Sequence, residues 1–197
     1  MDILRSIAHE LVHHMQNGKG EISKLSKAIP INKKVLIVYG GGSIKKNGVY
    51  DQVQNALIGY DLHEFSGIEP NPEFDTCLKA VDYIKANDID FILAVGGGSV
   101  IDATKFISAA TKFIGDPWDI LSKSAPVLDA LEFGTVLTIP ATCSEMNSGS
   151  VISRSSIDKK LAFMSEYVFP KFSILDPETT FTLPSRQLAN GVVDAFV

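Results

Sequence analysis

Residues 91–102, with the sequence FILAVGGGSVID, decide the fold. The apolar run at 91–95 is typical of a strand buried on both faces, and a helical pattern follows from Ser99 to about residue 113, with Ser99 as its predicted N-cap. Glycines between a strand and a helix let backbone N–H groups approach a phosphate closely. The turn Gly96-Gly97-Gly98 therefore predicts an anion-binding site, and a tight turn without a ligand is the alternative interpretation.

The same alternation of short apolar runs and longer helical patterns continues on both sides of this segment. It is typical of βαβ units, in which parallel strands form a sheet covered by helices. The fold class is therefore predicted to be α/β, with a Rossmann-like parallel sheet, flanking helices and a β-hairpin. The predicted elements are strands at 35–39, around 62–65 and at 135–139, crossover helices at 48–58 and 73–86, a hairpin at 149–163 with a polar turn at 155–159, and a helix from 184 to the end.

A second glycine run, Gly40-Gly41-Gly42-Ser43, follows the first predicted strand. Two such turns at the carboxyl ends of strands fit the crevice in which open α/β sheets bind ligands, although neither turn has the full G-x-G-x-x-G pattern. No carboxylate stands in this second turn, and Lys45 and Lys46 follow it. The pattern favours NADP(H) over NAD(H), and an ordinary solvated face is the alternative interpretation of the two lysines.

Composition limits the classes of partner. The 197 residues carry a formal net charge of −5 with scattered Lys and Arg, so the basic patch of a nucleic-acid-binding protein is missing. Cys77 and Cys143 form no CxxC pair, which favours a reducing compartment. No apolar run approaches the roughly 20 residues that span a bilayer. We expect a cytoplasmic protein that binds small molecules, with no nucleic-acid partner and no membrane partner.

The glycine turn with Asp102, followed by Thr138-x-Pro140-Ala141-Thr142-x-Ser144-Glu145, resembles the group III iron-containing alcohol dehydrogenases. The stretches YGGGSIKK (39–46), GIEPNP (67–72), LDP (175–177) and NGVVDAFV (190–197) are similar to the butanol dehydrogenase and NADPH-dependent broad-specificity aldehyde reductase branch. The resemblance covers about residues 18–197. It implies a dehydroquinate synthase-like α/β domain followed by an all-helical domain, with cofactor and divalent metal between them, and only the first domain is expected here.

The resemblance also implies a role for individual residues. Gly40, Gly41 and Ser43 would meet the adenosine end of the dinucleotide, with Asn71 near the adenine ribose. Gly97, Gly98 and Ser99 would hold the pyrophosphate. Asp102 would be both a cofactor-binding and a catalytic residue near the nicotinamide, and Lys160 would reach the nicotinamide ribose. The rest of the groove would be lined by Thr138, Thr142, Ser144 and Asn147.

One metal ligand is implied by the same resemblance. Asp194 matches the aspartate that supplies the first ligand in the family, where a histidine follows four residues later and further histidines come from the helical domain. The expected metal is iron(II) or zinc, acting as a Lewis acid while a hydride passes between NADP(H) and a short-chain alcohol or aldehyde. The full-length protein is expected to be a homodimer, and the chain alone is expected to be inactive.

The first seventeen residues depart from the family. They contain His9-Glu10-Leu11-Val12-His13, a literal H-E-x-x-H zinc motif. The expected segments are an atypical, helical stretch at 1–17, a nucleotide-binding domain at 18–183, and the first helix of a metal-binding domain at 184–197. Two alternatives to a dehydrogenase stay open at this point, namely a nucleotide-binding module without catalysis and, more remotely, a zinc metallopeptidase.

Overall fold

The computed structural model describes residues 15–194, of which Asp194 is described by its backbone only. Six parallel strands form one sheet in the order β1-β8-β5-β4-β2-β3, and β6 and β7 form a separate antiparallel hairpin. The predicted α/β class, parallel sheet and hairpin are confirmed. The strands are β1 Met15–Asn17, β2 Lys34–Val38, β3 Asp61–Phe65, β4 Phe91–Gly97, β5 Phe133–Ile139, β6 Gly149–Arg154, β7 Lys159–Met164 and β8 Ser173–Leu175.

Helices connect the strands and cover both faces of the sheet. The α-helices are α1 Leu25–Ala28, α2 Ser43–Lys46, α3 Val49–Ala56, α4 Phe74–Asn87, α5 Gly98–Lys112, α6 Trp118–Ser122 and α7 Ser185–Asp194. Short 3-10 helices lie at Glu21–Lys24, Ser144–Met146, Ser155–Ile157, Glu166–Val168 and Pro177–Thr180. The predicted crossover helices and the helix after the strand at 91–95 are confirmed, with ends shifted by one or two residues. The final helix is confirmed from Ser185 to Asp194, and its predicted end lies outside the described residues.

Strand β4 explains why residues 91–95 are a continuous apolar run. Ile92 and Ala94 point into the core cluster that also holds Phe106 of α5. Leu93 and Val95 belong to the cluster on the other face of the sheet. Because both faces are covered, each position from 91 to 96 is buried, and the alternation typical of a half-exposed strand is absent.

The order of the strands reverses beside β4. The chain passes from β2 to β3 on one side, crosses back to β4 on the other side of β2, and then continues outward to β5. Ligands of open α/β sheets bind outside the carboxyl ends of the strands at such a switch point. The two glycine turns follow β2 and β4, the pair of strands that flank it.

Three features of the fold differ from the sequence prediction. Ser99 is not an N-cap: α5 begins at Gly98, and the cap residue is Gly97, whose backbone is extended. Met15–Asn17, predicted as part of a helical stretch, forms the edge strand β1 beside β8. Strands β1 and β8 were not predicted, because three residues each are too few to show a hydrophobic period. The H-E-x-x-H motif at His9 to His13 lies outside the described residues.

Candidate functional site

The two glycine turns lie side by side at the carboxyl edge of the sheet. Val38 of β2 is in register with Ala94 of β4, so the turns that follow these strands emerge together. A Cβ added at Gly40 would lie 3.8 Å from Cγ2 of Val100, on the first turn of α5. Gly41 has open space around its Cα, and Gly42 adopts a φ of 88°, a left-handed conformation that favours glycine. Together these features form an open backbone surface next to the N-terminus of α5.

Position 98 has room only for glycine, because the side chain of Thr142 lies beside it. A Cβ added there would lie 2.8 Å from Cγ2 and 3.0 Å from Cβ of Thr142, and closer still to its hydroxyl oxygen. Any side chain at position 98 would therefore collide with Thr142. Thr142 lies in the loop after β5, so the missing side chain allows that loop to approach the start of α5.

Asp102 links that loop to the hairpin. Its Oδ1 accepts a hydrogen bond from the Ser144 hydroxyl at 2.8 Å, and its Oδ2 accepts one from the Val151 backbone N–H at 3.1 Å. The hydroxyls of Ser144 and Thr142 are 2.8 Å apart. Burial raises the pKa of the Asp102 carboxyl, although these hydrogen bonds and the nearby Lys105 ammonium oppose the shift. The structure thus joins Gly98, Thr142, Ser144 and Asp102 in one connected group.

Lys105 is a functional candidate that sequence reasoning missed. It lies one turn after Asp102 on α5, and its side chain is fully buried, with 0% exposed. Its Nζ donates hydrogen bonds to Asn147 Oδ1 at 2.7 Å and to the Gly149 carbonyl at 2.8 Å. Burial lowers the pKa of the ammonium group to about 8, against the attraction of Asp102 and Glu145. The available signal was a lysine inside residues 103–111, which are otherwise apolar or small.

Asn71 and Lys160 lie in contact with each other. Lys160 Nζ donates a hydrogen bond to Asn71 Oδ1 at 2.8 Å, across 89 positions of sequence. The resemblance implied the adenine ribose for the first residue and the nicotinamide ribose for the second. Their hydrogen bond brings the two side chains together on one side of the hairpin.

Lys45, which follows the glycine turn at residues 40–43, already has partners. Lys45 Nζ lies 2.8 Å from Glu64 Oε2 and 4.4 Å from the centroid of the Tyr50 ring. Tyr39 and Tyr50 also donate hydrogen bonds to the Glu64 carboxylate. Burial acts to raise the pKa of Glu64, but the hydrogen bonds from Lys45, Tyr50 and Tyr39 together lower it. The turn itself holds no carboxylate, but Glu64 reaches Lys45 from the adjacent strand β3.

The remaining predicted residues occupy the same edge of the sheet. Thr138 is buried near the end of β5, and Ser43 begins α2. Asp194 is the last described residue of α7, a helix whose Gly191 would place an added Cβ 3.3 Å from the Pro140 carbonyl oxygen. Within residues 15–194, no group of three or more His, Cys, Asp or Glu side chains is arranged to hold a metal ion. The described residues therefore do not build the expected metal site.

An open parallel sheet with glycine turns at its switch point is typical of α/β domains that bind dinucleotides. The model of the iron-containing alcohol dehydrogenase family matches residues 13–177, and the chain belongs to that family. It is 54% identical over 183 residues to the NADPH-dependent aldehyde reductase YqhD of Escherichia coli (strain K12), covering 91% of this chain and 47% of that protein. It is also 54% identical to the probable NADH-dependent butanol dehydrogenase 1 of Bacillus subtilis (strain 168), covering 90% of this chain and 46% of that protein.

Solved structures agree with this assignment. The crystal structure of Escherichia coli YqhD superposes with a TM-score of 0.90 at 53% identity, covering 93% of this chain and 48% of that one. NADH-dependent butanol dehydrogenase A of Thermotoga maritima gives a TM-score of 0.88 at 42% identity, covering 92% of this chain and 46% of that one. The chain spans about half the length of the curated relatives it matches. Among the described helices, none is long and apolar enough to cross a membrane.

Proposed function

We propose that this chain is the nucleotide-binding part of an enzyme that reversibly reduces short-chain aldehydes to alcohols. One observation supports the proposal above the others: the turns after β2 and β4 meet at the switch point, beside the connected group of Gly98, Thr142, Ser144 and Asp102. Backbone N–H groups at the start of a 15-residue helix provide donors for the pyrophosphate. Neither alternative, a zinc metallopeptidase or a nucleotide-binding module without catalysis, is favoured by the family assignment.

The residues of this chain would bind and orient the nicotinamide cofactor, which supplies the hydride. Asp102 would hold the loop after β5 against the hairpin and so fix the wall of the groove near the nicotinamide. A divalent metal, iron according to the family's name, would add a positive charge beside the substrate oxygen. Asp194 is the proposed ligand from this chain, and no reaction step is assigned to the metal because the described residues do not form its site.

For the nucleotide we propose NADP(H) over NAD(H). The support is the absence of a carboxylate within Gly40-Gly41-Gly42-Ser43, together with the exposed Lys46 close by. Glu64 neutralises much of the charge of Lys45, so we expect a preference of modest size. Changing Ser43 to Asp should shift the preference toward NADH, because a carboxylate there would repel a 2′-phosphate and accept hydrogen bonds from a free ribose.

A pair of charge variants tests nucleotide binding. Gly41→Asp adds a carboxylate at an open position of the glycine turn at residues 40–43. The control, Ile114→Asp, adds the same charge beyond the other end of α5, where the Ile114 side chain is 95% exposed. Titration followed by nicotinamide fluorescence should show NADPH affinity at least about tenfold weaker for the first variant, and unchanged for the second. Equal affinities in both variants, or no binding by the unchanged chain, would contradict the proposal.

Two expectations about the complete protein stay predictions. A cytoplasmic location is supported by two cysteines without a CxxC pair, and the homodimer is implied by the resemblance alone. The proposed substrate is a small aldehyde or alcohol, since the relatives named above are an aldehyde reductase and butanol dehydrogenases.

A further inference from the structure

The buried ammonium group of Lys105 has an unusual set of neighbours. A fully buried lysine is rare, because removing an ammonium group from water is costly unless other groups replace the water. The charged groups that act on it are Asp102 on its own helix and Glu145 of the 3-10 helix. Glu145 Oε2 is itself buried without a hydrogen-bond partner in the described part of the chain. The apolar surroundings alone give no reason for a lysine at this position.

The contacts of Lys105 orient one amide side chain. Asn147 Oδ1 accepts hydrogen bonds from Lys105 Nζ at 2.7 Å and from the Gly149 backbone N–H at 3.0 Å. Because both bonds go to the oxygen, the Nδ2 group of Asn147 is directed away from the ammonium group. An ammonium group has only donors, so it excludes the flipped amide in which Nδ2 would face it. Lys105 therefore selects one of the two amide orientations and ties the start of β6 to α5 through the Gly149 carbonyl.

We infer that Lys105 is a positioning residue for the nucleotide site, which acts by directing the amide donors of Asn147 toward an acceptor oxygen of the bound dinucleotide. This inference rests on the proposed function, since Asn147 is a cofactor contact by resemblance. The action of Lys105 is indirect. The buried ammonium does not touch the nucleotide, and its effect on affinity passes through the side chain of Asn147.

A double-mutant cycle tests the inference on the 197-residue chain. NADPH dissociation constants are measured for the unchanged chain, K105M, N147A and K105M/N147A, with unfolding temperatures as a check of folding. The matched control is K112M, which removes an exposed lysine from the end of the same helix. We expect each single change to weaken binding about tenfold and the double change to weaken it no further, because residues that act through one contact are not additive. The control should bind as the unchanged chain does.

A pH titration provides a second test without any change at position 105. The Lys105 ammonium loses its proton as the pH rises through about 8. NADPH affinity of the unchanged chain should fall across that interval, and the fall should be absent in N147A. This measurement also decides the matter if K105M does not fold.

The outcomes separate this inference from the proposed function. Binding by the unchanged chain with no loss in K105M would refute the role of Lys105 and leave nucleotide binding intact. Losses that multiply in the double variant would show that Lys105 acts independently of Asn147, and would refute the route through that amide. A chain that binds neither NADPH nor NADH would refute the proposed function itself.

Discussion

Replacing Gly98 by alanine is the most direct test of how the site is built. The added Cβ would lie 2.8 Å from Cγ2 of Thr142, a distance that real Cβ atoms essentially never show, and 3.0 Å from its Cβ. Gly98 is not among the described residues with positive φ, so the backbone itself accepts alanine there. Any cost of Gly98→Ala therefore comes from displacing the loop that carries Thr142.

The expected magnitude follows from two contributions. Forcing extra volume into a well-packed contact costs about 1–3 kcal/mol. The displaced threonine also loses its hydrogen bond to Ser144, which contributes about 0.5–1.5 kcal/mol. A total of about 2–4 kcal/mol lowers the unfolding temperature by about 4–16 °C in a chain of this length. NADPH affinity should fall about tenfold, since the same loop forms one wall of the groove.

Thermal unfolding followed by circular dichroism measures the effect, with Gly41→Ala as the control. A Cβ at Gly41 meets nothing within 4 Å, so this variant should unfold within about 1 °C of the unchanged chain. Adding Thr142→Ala to Gly98→Ala should restore part of the loss, because it removes the hydroxyl and the methyl group but leaves Cβ in place. Equal unfolding temperatures for Gly98→Ala and Gly41→Ala would refute the reasoning.

Three further predictions use other parts of the molecule. Glu64→Gln removes the negative charge that Lys45 faces at 2.8 Å. NADPH binding should tighten about threefold to tenfold while NADH binding stays unchanged, and equal changes for both nucleotides would contradict this. The pKa of Lys105 is lowered in the folded chain from 10.5 to about 8, so the unfolded chain binds more protons between these two pH values. The unfolding free energy should therefore rise with pH across that window, relative to K105M. The 197-residue chain loaded with iron(II) should show no more than trace NADPH oxidation with butanal, since Asp194 is its one proposed metal ligand; turnover on the order of 10 per second would contradict that.

The central strands could be predicted from the sequence because they are long and their burial is uniform. Residues 91–95 form a continuous apolar run since both faces of β4 are covered, and the glycines that follow mark where the strand ends. The short strands β1 and β8 could not be predicted in this way. Each contributes three residues, and their pairing depends on a register between distant segments that no local pattern encodes.

The sequence could not show which residues from distant parts of the chain contact one another at the candidate site. The resemblance named Asp102, Thr142 and Ser144, and the structure joins them by hydrogen bonds. It could not show that Glu64 reaches Lys45 from a neighbouring strand, 19 positions later. Lys105 was missed because burial, rather than sequence spacing, distinguishes it from a surface lysine.

The pairing of β1 with β8 has a consequence for synthesis of the chain on the ribosome. Met15 is in register with Ser173, and β8 is the strand with which β1 pairs among the described residues. At about 5–20 residues per second, β1 leaves the ribosome about 10–30 s before its partner exists. Strands β2, β3, β4 and β5 pair with neighbours that emerge much sooner. The sheet should therefore assemble from its middle during translation, and its edge should close last, when β8 emerges and β1 can pair with it.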